Sequence, residues 1–398
     1  MHRRRVSSTW VPALGALIGI GIAAWFLGGC TTSQPVQPAQ PSKPATPEQP
    51  PASFEVHGEM PVTIGFTNAQ SWIRTPSSTP ETTLTLLSPL IETSTPWNEL
   101  VVSWNVEPAT NTGLRIEAVL PEIEPTETVY RLGDWSAEGP SPLLRTSLKG
   151  QKHPAAEVKT DTLVVRRPTR RVRLQLQLHG ALALDPARLR WVTASFCDTG
   201  FTPSPRPALT KAWGKTLEVP ERSQVAYEDG RAWCSPTSVS MVLGWWSTRE
   251  HRPEWDKDVP EVARGVNDPG WPGTGNWPFN MAYAGSFAGL RACAARLPDL
   301  RALEALIAEG IPVVLSVNPP ALRGKPVSPD SGHLVICVGF TESGDVVVND
   351  PWARLDQGQR VRRVYQRSNV ERAWAYSHNL AYLVAPSRLA MGFPVQWR

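Results

Sequence analysis

Apolar and polar residues alternate along much of the first half of the chain. In RVRLQLQLHG, Val172, Leu174, Leu176 and Leu178 alternate with Arg173, Gln175, Gln177 and His179. A period of two is that of a strand with one buried and one wet face. GLRIEAVLP repeats it through Leu114, Ile116, Ala118 and Leu120. NELVVSWNV, DTLVVRR and LRWVTASF are further strand candidates between Pro, Gly, Asn and Asp turns. No long helical period interrupts them. The pattern predicts an N-terminal all-β sandwich over residues 53–200. CDTGFTPSPRPALTKAWGK, rich in Pro, Ser and Thr, places a linker at 201–215.

From residue 216 the texture changes. The spacing predicts a helix over 235–246, with Pro236 in its first turn, where a missing N–H costs nothing. PDLRALEALIAEGIPVVLSVN predicts a second helix, Gly310 as its stop, and a strand over 312–317. GHLVICVGFTESGDVVVNDPW predicts a hairpin around a short polar loop containing Gly344. A helix first and antiparallel strands later, with no alternating βαβ series, predict an α+β domain over 216–398.

A chain of 398 residues has room for both domains. Its net charge of +4 is spread along the sequence, which argues against a dedicated nucleic-acid binder. The N-terminus predicts export. MHRRR is a positive n-region, residues 11–27 form a glycine-broken apolar run, and LGGC ends in Cys30. The run is short and glycine-rich for a transmembrane helix. LGGC resembles a bacterial lipobox, which makes 1–30 a lipoprotein signal peptide and Cys30 the lipidated residue. Acyl chains there would hold the protein to a membrane at the cell envelope. Residues 31–52 are Pro, Gln, Ser, Thr and Ala with few large apolar side chains, too polar to fold. They predict a tether reaching roughly 70 Å at ~3.1 Å per residue.

The candidate chemistry starts at RAWCSPTSVSMVLGWW. Cys234 stands at the head of a predicted helix, where free N–H groups and the helix dipole favour a thiolate and can hold an oxyanion. Alone, such a cysteine is more often a small buried hydrophobe. A nucleophilic thiol needs a base and a group that orients the base. His333 opens one hairpin strand and Asp350 closes the other. With a four-residue loop, His333 falls opposite Trp352, and Asp350 is its diagonal neighbour on the same face. A five-residue loop puts the two on opposite faces. The plain readings are a satisfied strand-end histidine and a turn aspartate before Pro351. The order Cys234, His333, Asp350 favours a catalytic set over both.

WCSPTSVSMVL, GHLVICVGF and VVVNDPWA resemble the peptidase family C39-like proteins, papain-like cysteine peptidases related to the bacteriocin-leader peptidases. The resemblance runs from about 216 to 386. It implies an α+β papain-like cysteine peptidase domain with Cys234 as nucleophile, His333 as acid and base, and Asp350 orienting the histidine. It also implies that Gln224, upstream in VPERSQVAYEDGRAWC, donates to the oxyanion hole. RTSLKGQ and TDTLVV look like a region found ahead of this peptidase in secreted bacterial proteins. Two departures stand out. Ser235 replaces the family's usual glycine after the cysteine, where it can cap the helix. No transporter accompanies the peptidase, which argues against double-glycine leader processing.

The expected partners are a peptide or protein substrate, a membrane through the lipid anchor, and a cell-wall polymer through the β domain. No cofactor or metal is implied: HExxH and Cys-pair zinc patterns are missing. Acyl transfer of transglutaminase or wall-amidase type, and an inactive fold used for binding, are the rival functions. Of the remaining cysteines, Cys337 fits a buried thiol and Cys197 could bridge Cys293. The Gly/Trp-rich segment 266–279 is either a self-packed loop or a wall of the cleft.

Overall fold

The computed structural model describes residues 53–75, 83–123, 128–137, 142–204 and 206–398. Cys30 and the Pro-rich stretch 31–52 lie outside them. Among the described residues no helix is long and apolar enough to cross a membrane.

The alternating segments form strands. Val172, Leu174, Leu176 and Leu178 are fully buried on one face of Thr162–Gly180, a single strand that unites DTLVVRR with RVRLQLQLHG. Leu90–Val106 is the second long strand. The expected all-β layers are joined into one continuous curled sheet. In it Val62–Phe66, Leu189–Cys197, Leu90–Val106, Thr162–Gly180 and Thr83–Leu87 follow in order, and Thr112–Val119 also pairs with Thr162–Gly180. Its core holds Trp104, Ile116 and Leu176.

The second half carries a six-stranded antiparallel sheet. Its order is Leu290–Arg296, Leu380–Pro386, Val313–Val317, His333–Phe340, Val346–Asn349, Arg362–Tyr365. The predicted first helix is Cys234–Glu250, and every residue from Ser235 to Ser247 is buried. Its first turns are small and polar, which lets it approach the sheet closely. Ser238 Oγ donates to Leu334 O at 3.3 Å, so the helix head is fastened beside the residue that follows His333.

Leu290–Arg296 is an edge of this sheet. A buried edge with unpaired N–H and C=O groups is costly. Side chains of the curled sheet fill those positions. Asn105 Oδ1 accepts from Ala292 N (2.9 Å), and Asn105 Nδ2 donates to Ala292 O (2.7 Å). Ser103 Oγ accepts from Ala294 N (3.1 Å), and Ser195 Oγ accepts from Arg296 N (3.0 Å). Thr193 and Thr63 complete the strip through hydroxyl contacts of 2.6 and 2.9 Å. The last strand, Gln396–Trp397, adds in parallel to Val62–Phe66, and Trp397 stacks on Trp191. The described residues belong to one compact unit.

The hairpin register departs from expectation in an instructive way. Phe340 pairs with Val346 and Gly339 with Val347, so residues 341–345 form a five-residue loop. By parity this would throw His333 and Asp350 to opposite faces. The pairing then shifts, because Cys337 faces Val348 and Ile336 faces Asn349. Val338 is the extra residue of a β-bulge, and it restores the face. The segment preceding the cysteine helix holds the bulge. Leu217 N donates to Val338 O at 2.7 Å, and Phe340 N donates to Lys215 O at 2.9 Å. Gly339 is required here, since a Cβ would fall 2.1 Å from Lys215 O.

Two stability predictions follow from these contacts. Asn105→Ala leaves the buried Ala292 N–H unpaired, while Ala292 O keeps the Trp191 indole N–H at 3.2 Å. One orphaned group costs about 1–3 kcal/mol, so urea unfolding should show a loss of at least ~1 kcal/mol. Gly339→Ala should cost about 1–3 kcal/mol by forcing Lys215 away. Gly332→Ala, where an added methyl meets nothing within 4 Å, should stay within about 0.5 kcal/mol.

Candidate active site

Three elements converge on the site. Cys234 opens the buried helix, His333 opens its strand, and Asp350 follows the strand Val346–Asn349. Cys234 is half-buried, whereas His333 and Asp350 are buried. All three line one open cleft of about 1350 Å³.

Asp350 is held on both oxygens. Oδ1 lies 2.8 Å from His333 Nε2 and accepts from Trp352 N at 2.9 Å. Oδ2 accepts from Tyr365 Oη at 3.0 Å and from an Arg363 guanidinium N–H at 3.2 Å. Burial pushes this carboxyl up, but the hydrogen bond and charge of His333, then the Trp352 N–H and the Arg363 charge, bring it down to about 2. Asp350 is therefore a carboxylate at any working pH. Arg363 and Tyr365 were not picked out from the sequence. They stand two apart on Arg362–Tyr365, so one strand face delivers both, but only the sheet order shows that this strand lies beside Asp350.

His333 answers to two partners. Burial would lower its pKa, yet the hydrogen bonds and charges of Asp350 and Cys234 raise it to about 9. With Nε2 committed to Asp350, Nδ1 is the nitrogen left for the thiol. Burial opposes ionisation of Cys234 in turn. The hydrogen bond and charge of His333 outweigh it, helped by the Leu334 and Ser235 N–H groups, and the thiol sits below its ordinary range. Both shifts run toward thiolate beside imidazolium.

Among the described residues, the other three thiols have no histidine partner of this kind. Burial pushes Cys197 up to about 11 and Cys337 up to about 12, and drives Cys293 well upward. Cys197 and Cys293 are free, so the bridge considered from the sequence is not formed.

Gln224 lines the same cleft. Its backbone N–H donates to Pro351 O at 3.0 Å, which ties it to the loop after Asp350. Its side-chain Nε2 donates to Gly230 O and Arg231 O, both at 2.9 Å. Both amide protons are thus spent on the turn that leads into Cys234. Gly230 is needed in that turn, as a Cβ would fall 1.7 Å from Gln224 O. Ser235 does not cap the helix. The N-cap is Trp233, without a side-chain bond, and Ser235 Oγ pairs with Tyr382 Oη at 2.9 Å. A residue already inside the first turn points its hydroxyl sideways to the sheet, not back to the helix N–H groups. Of the segment 266–279 only 267–276 is a loop, because Val266 ends the helix Val259–Val266 and Trp277 opens the helix Trp277–Ala284. Asp268 binds the loop's backbone at Gly270 and Trp271, while Trp271, Thr274 and Trp277 line the cleft.

The family profile described as Peptidase C39 like family matches residues 216–382. A second, the Peptidase C39 N-terminal domain, matches residues 67–195. Among solved structures, a Bacillus anthracis protein described as a C39-like peptidase is similar at 17% identity. The match covers 43% of this chain and 98% of that one, with a TM-score of 0.34. A Vibrio parahaemolyticus protein matches at 10% identity over 77% of this chain and 90% of its own, with a TM-score of 0.17. No curated protein matches the chain. Residues 216–382 thus belong to the peptidase C39-like family, preceded by that family's N-terminal domain.

Proposed function

We propose that the protein is a papain-like cysteine peptidase that hydrolyses peptide bonds through a Cys234–His333–Asp350 triad and a thioester intermediate. The carrying observation is the continuous hydrogen-bonded line from a helix-head thiol through a buried imidazole to a fully donated carboxylate, inside an open cleft. In this reading the Cys234 thiolate attacks the carbonyl carbon of the scissile amide. The carbonyl oxygen takes the negative charge, and the N–H groups at the helix head stabilise it. Collapse of the tetrahedral adduct breaks the C–N bond, and imidazolium His333 gives its proton to the leaving amine. Neutral His333 then takes a proton from water, whose oxygen attacks the thioester. The acid product leaves and the thiolate–imidazolium pair is restored. Asp350 keeps Nε2 protonated and the ring aimed, as the third member of a triad does.

Gln224 is assigned as second oxyanion donor. To serve, it must exchange the Gly230 or Arg231 carbonyl for the oxyanion, so part of its worth lies in shaping the turn before Cys234.

The pH dependence separates nucleophile from acid. Iodoacetamide should label Cys234 quickly at about pH 6, where an ordinary thiol is under about one per cent ionised. His333→Ala should remove that advantage. Peptide hydrolysis needs imidazolium as well as thiolate, so its rate should fall as pH rises through about 9, while alkylation does not fall there. Cys234→Ala should abolish turnover. Mass-spectrometric mapping of the label and rates on a mixed peptide substrate read these outcomes. Labelling of Cys234 no faster than Cys197 would refute the assignment.

A further inference from the structure

The cleft in front of Cys234 is lined by both halves of the molecule. Lys159, Asp161 and Thr162 of the curled sheet share it with the triad and with the loop that carries Trp271. Trp271 is 44% exposed although it is among the largest apolar side chains. Its six-membered ring lies against Gly273 and Gly275, where Cβ atoms would fall 2.9 and 3.2 Å from it. Side chains at those two glycines would crowd the indole. Its neighbours in the lining, Pro272, Gly273, Gly275 and Trp277, carry no charge.

This loop is not loose. The N-terminal half grips it at three points. Arg145 donates from Nε to Asn267 O (3.0 Å) and from its guanidinium to Arg264 O (2.8 Å). Ser147 N donates to Asp268 Oδ1 at 2.9 Å, and Gly270 lies so close that a Cβ would fall 2.0 Å from Ser147 O. Asp161 Oδ2 accepts from Trp277 N at 2.7 Å. Between the grips the loop closes on itself through Asp268 N to Gly273 O at 2.9 Å. On its inner side, Thr274 Oγ1 donates to Ala232 O at 2.9 Å, two residues before the nucleophile. An open indole on a loop pinned from both sides, in the lining shared with a nucleophile, has the make-up of a binding surface: apolar, rigid and cheap to order.

We infer that Trp271 is a specificity-determining residue that receives a bulky apolar side chain of the peptide substrate, and that the N-terminal domain positions it through Arg145, Ser147 and Asp161. The N-terminal domain is then part of the substrate site. The inference rests on the peptidase reading above.

Peptidyl chloromethyl ketones that differ only by glycine or phenylalanine at one position test it. Their rates of Cys234 alkylation are compared in the wild type, Trp271→Ala and Arg145→Ala, with iodoacetamide as the small probe. At one position the wild type should prefer phenylalanine by at least about tenfold, and Trp271→Ala should bring that ratio to within about twofold of unity. Arg145→Ala, which touches no substrate, should lower the ratio part of the way. Iodoacetamide rates should be equal in all three proteins, which shows that the triad is intact. A preference that survives Trp271→Ala, or no preference at any position, overturns the inference. Wild-type Cys234 that meets iodoacetamide no faster than Cys197 overturns the peptidase reading, and this inference with it.

Discussion

The 2.8 Å contact between His333 and Asp350 exists because one residue, Val338, is squeezed out of the pairing between two strands. Side chains alternate across a sheet, so a five-residue loop alone would have sent the imidazole and the carboxylate to opposite faces. The bulge corrects the parity, and Lys215 and Leu217 hold the bulge by their backbone. Those residues lie just upstream of Gln224 and Cys234. The segment that leads to Cys234 therefore also sets the register that brings His333 and Asp350 together. Cys337, next to the bulge, is a buried thiol with a raised pKa.

A second dependence runs between the halves. Edge strands exposed to water invite pairing with other chains. Leu290–Arg296 meets Asn105, Ser103 and Ser195 instead of solvent or another strand. These are directional contacts, so they fix how far the edge can slide along the curled sheet. The same interface carries Arg296, whose guanidinium donates to Glu99 and to Ser377 O, both at 2.5 Å, at the margin of the cleft. A domain that seals the peptidase edge is thereby placed where it also lines the cleft.

Much of this was legible in the chain. The period-two runs gave the strands of the curled sheet, because one face of each meets a purely apolar core. The cysteine helix and the hairpin were legible from local residues: Pro236 in a first turn, Gly344 in a loop with positive φ. What escaped was decided at a distance. Val102, Trp104 and Val106 alternate with Ser103 and Asn105 as in a half-wet strand, yet both faces are buried, since the polar one meets a strand nearly two hundred residues away. The bulge leaves no mark in GHLVICVGF beyond Gly339, which needs its neighbour's carbonyl to be understood. Ser235 looked like a cap and is a partner of Tyr382. Arg363 and Tyr365 carry no motif, and only the order of strands brings them to Asp350.

The central claim is the charge state of the pair: thiolate and imidazolium, held by Asp350. It is tested most directly by ring ¹⁵N chemical shifts of His333 in protein labelled at histidine, with the signal assigned by its loss in His333→Gln. The account predicts two protonated ring nitrogens near pH 7, persisting until His333 loses a proton at about 9. A neutral His333 tautomer near pH 7 would mean that the thiol keeps its proton, and would contradict the account.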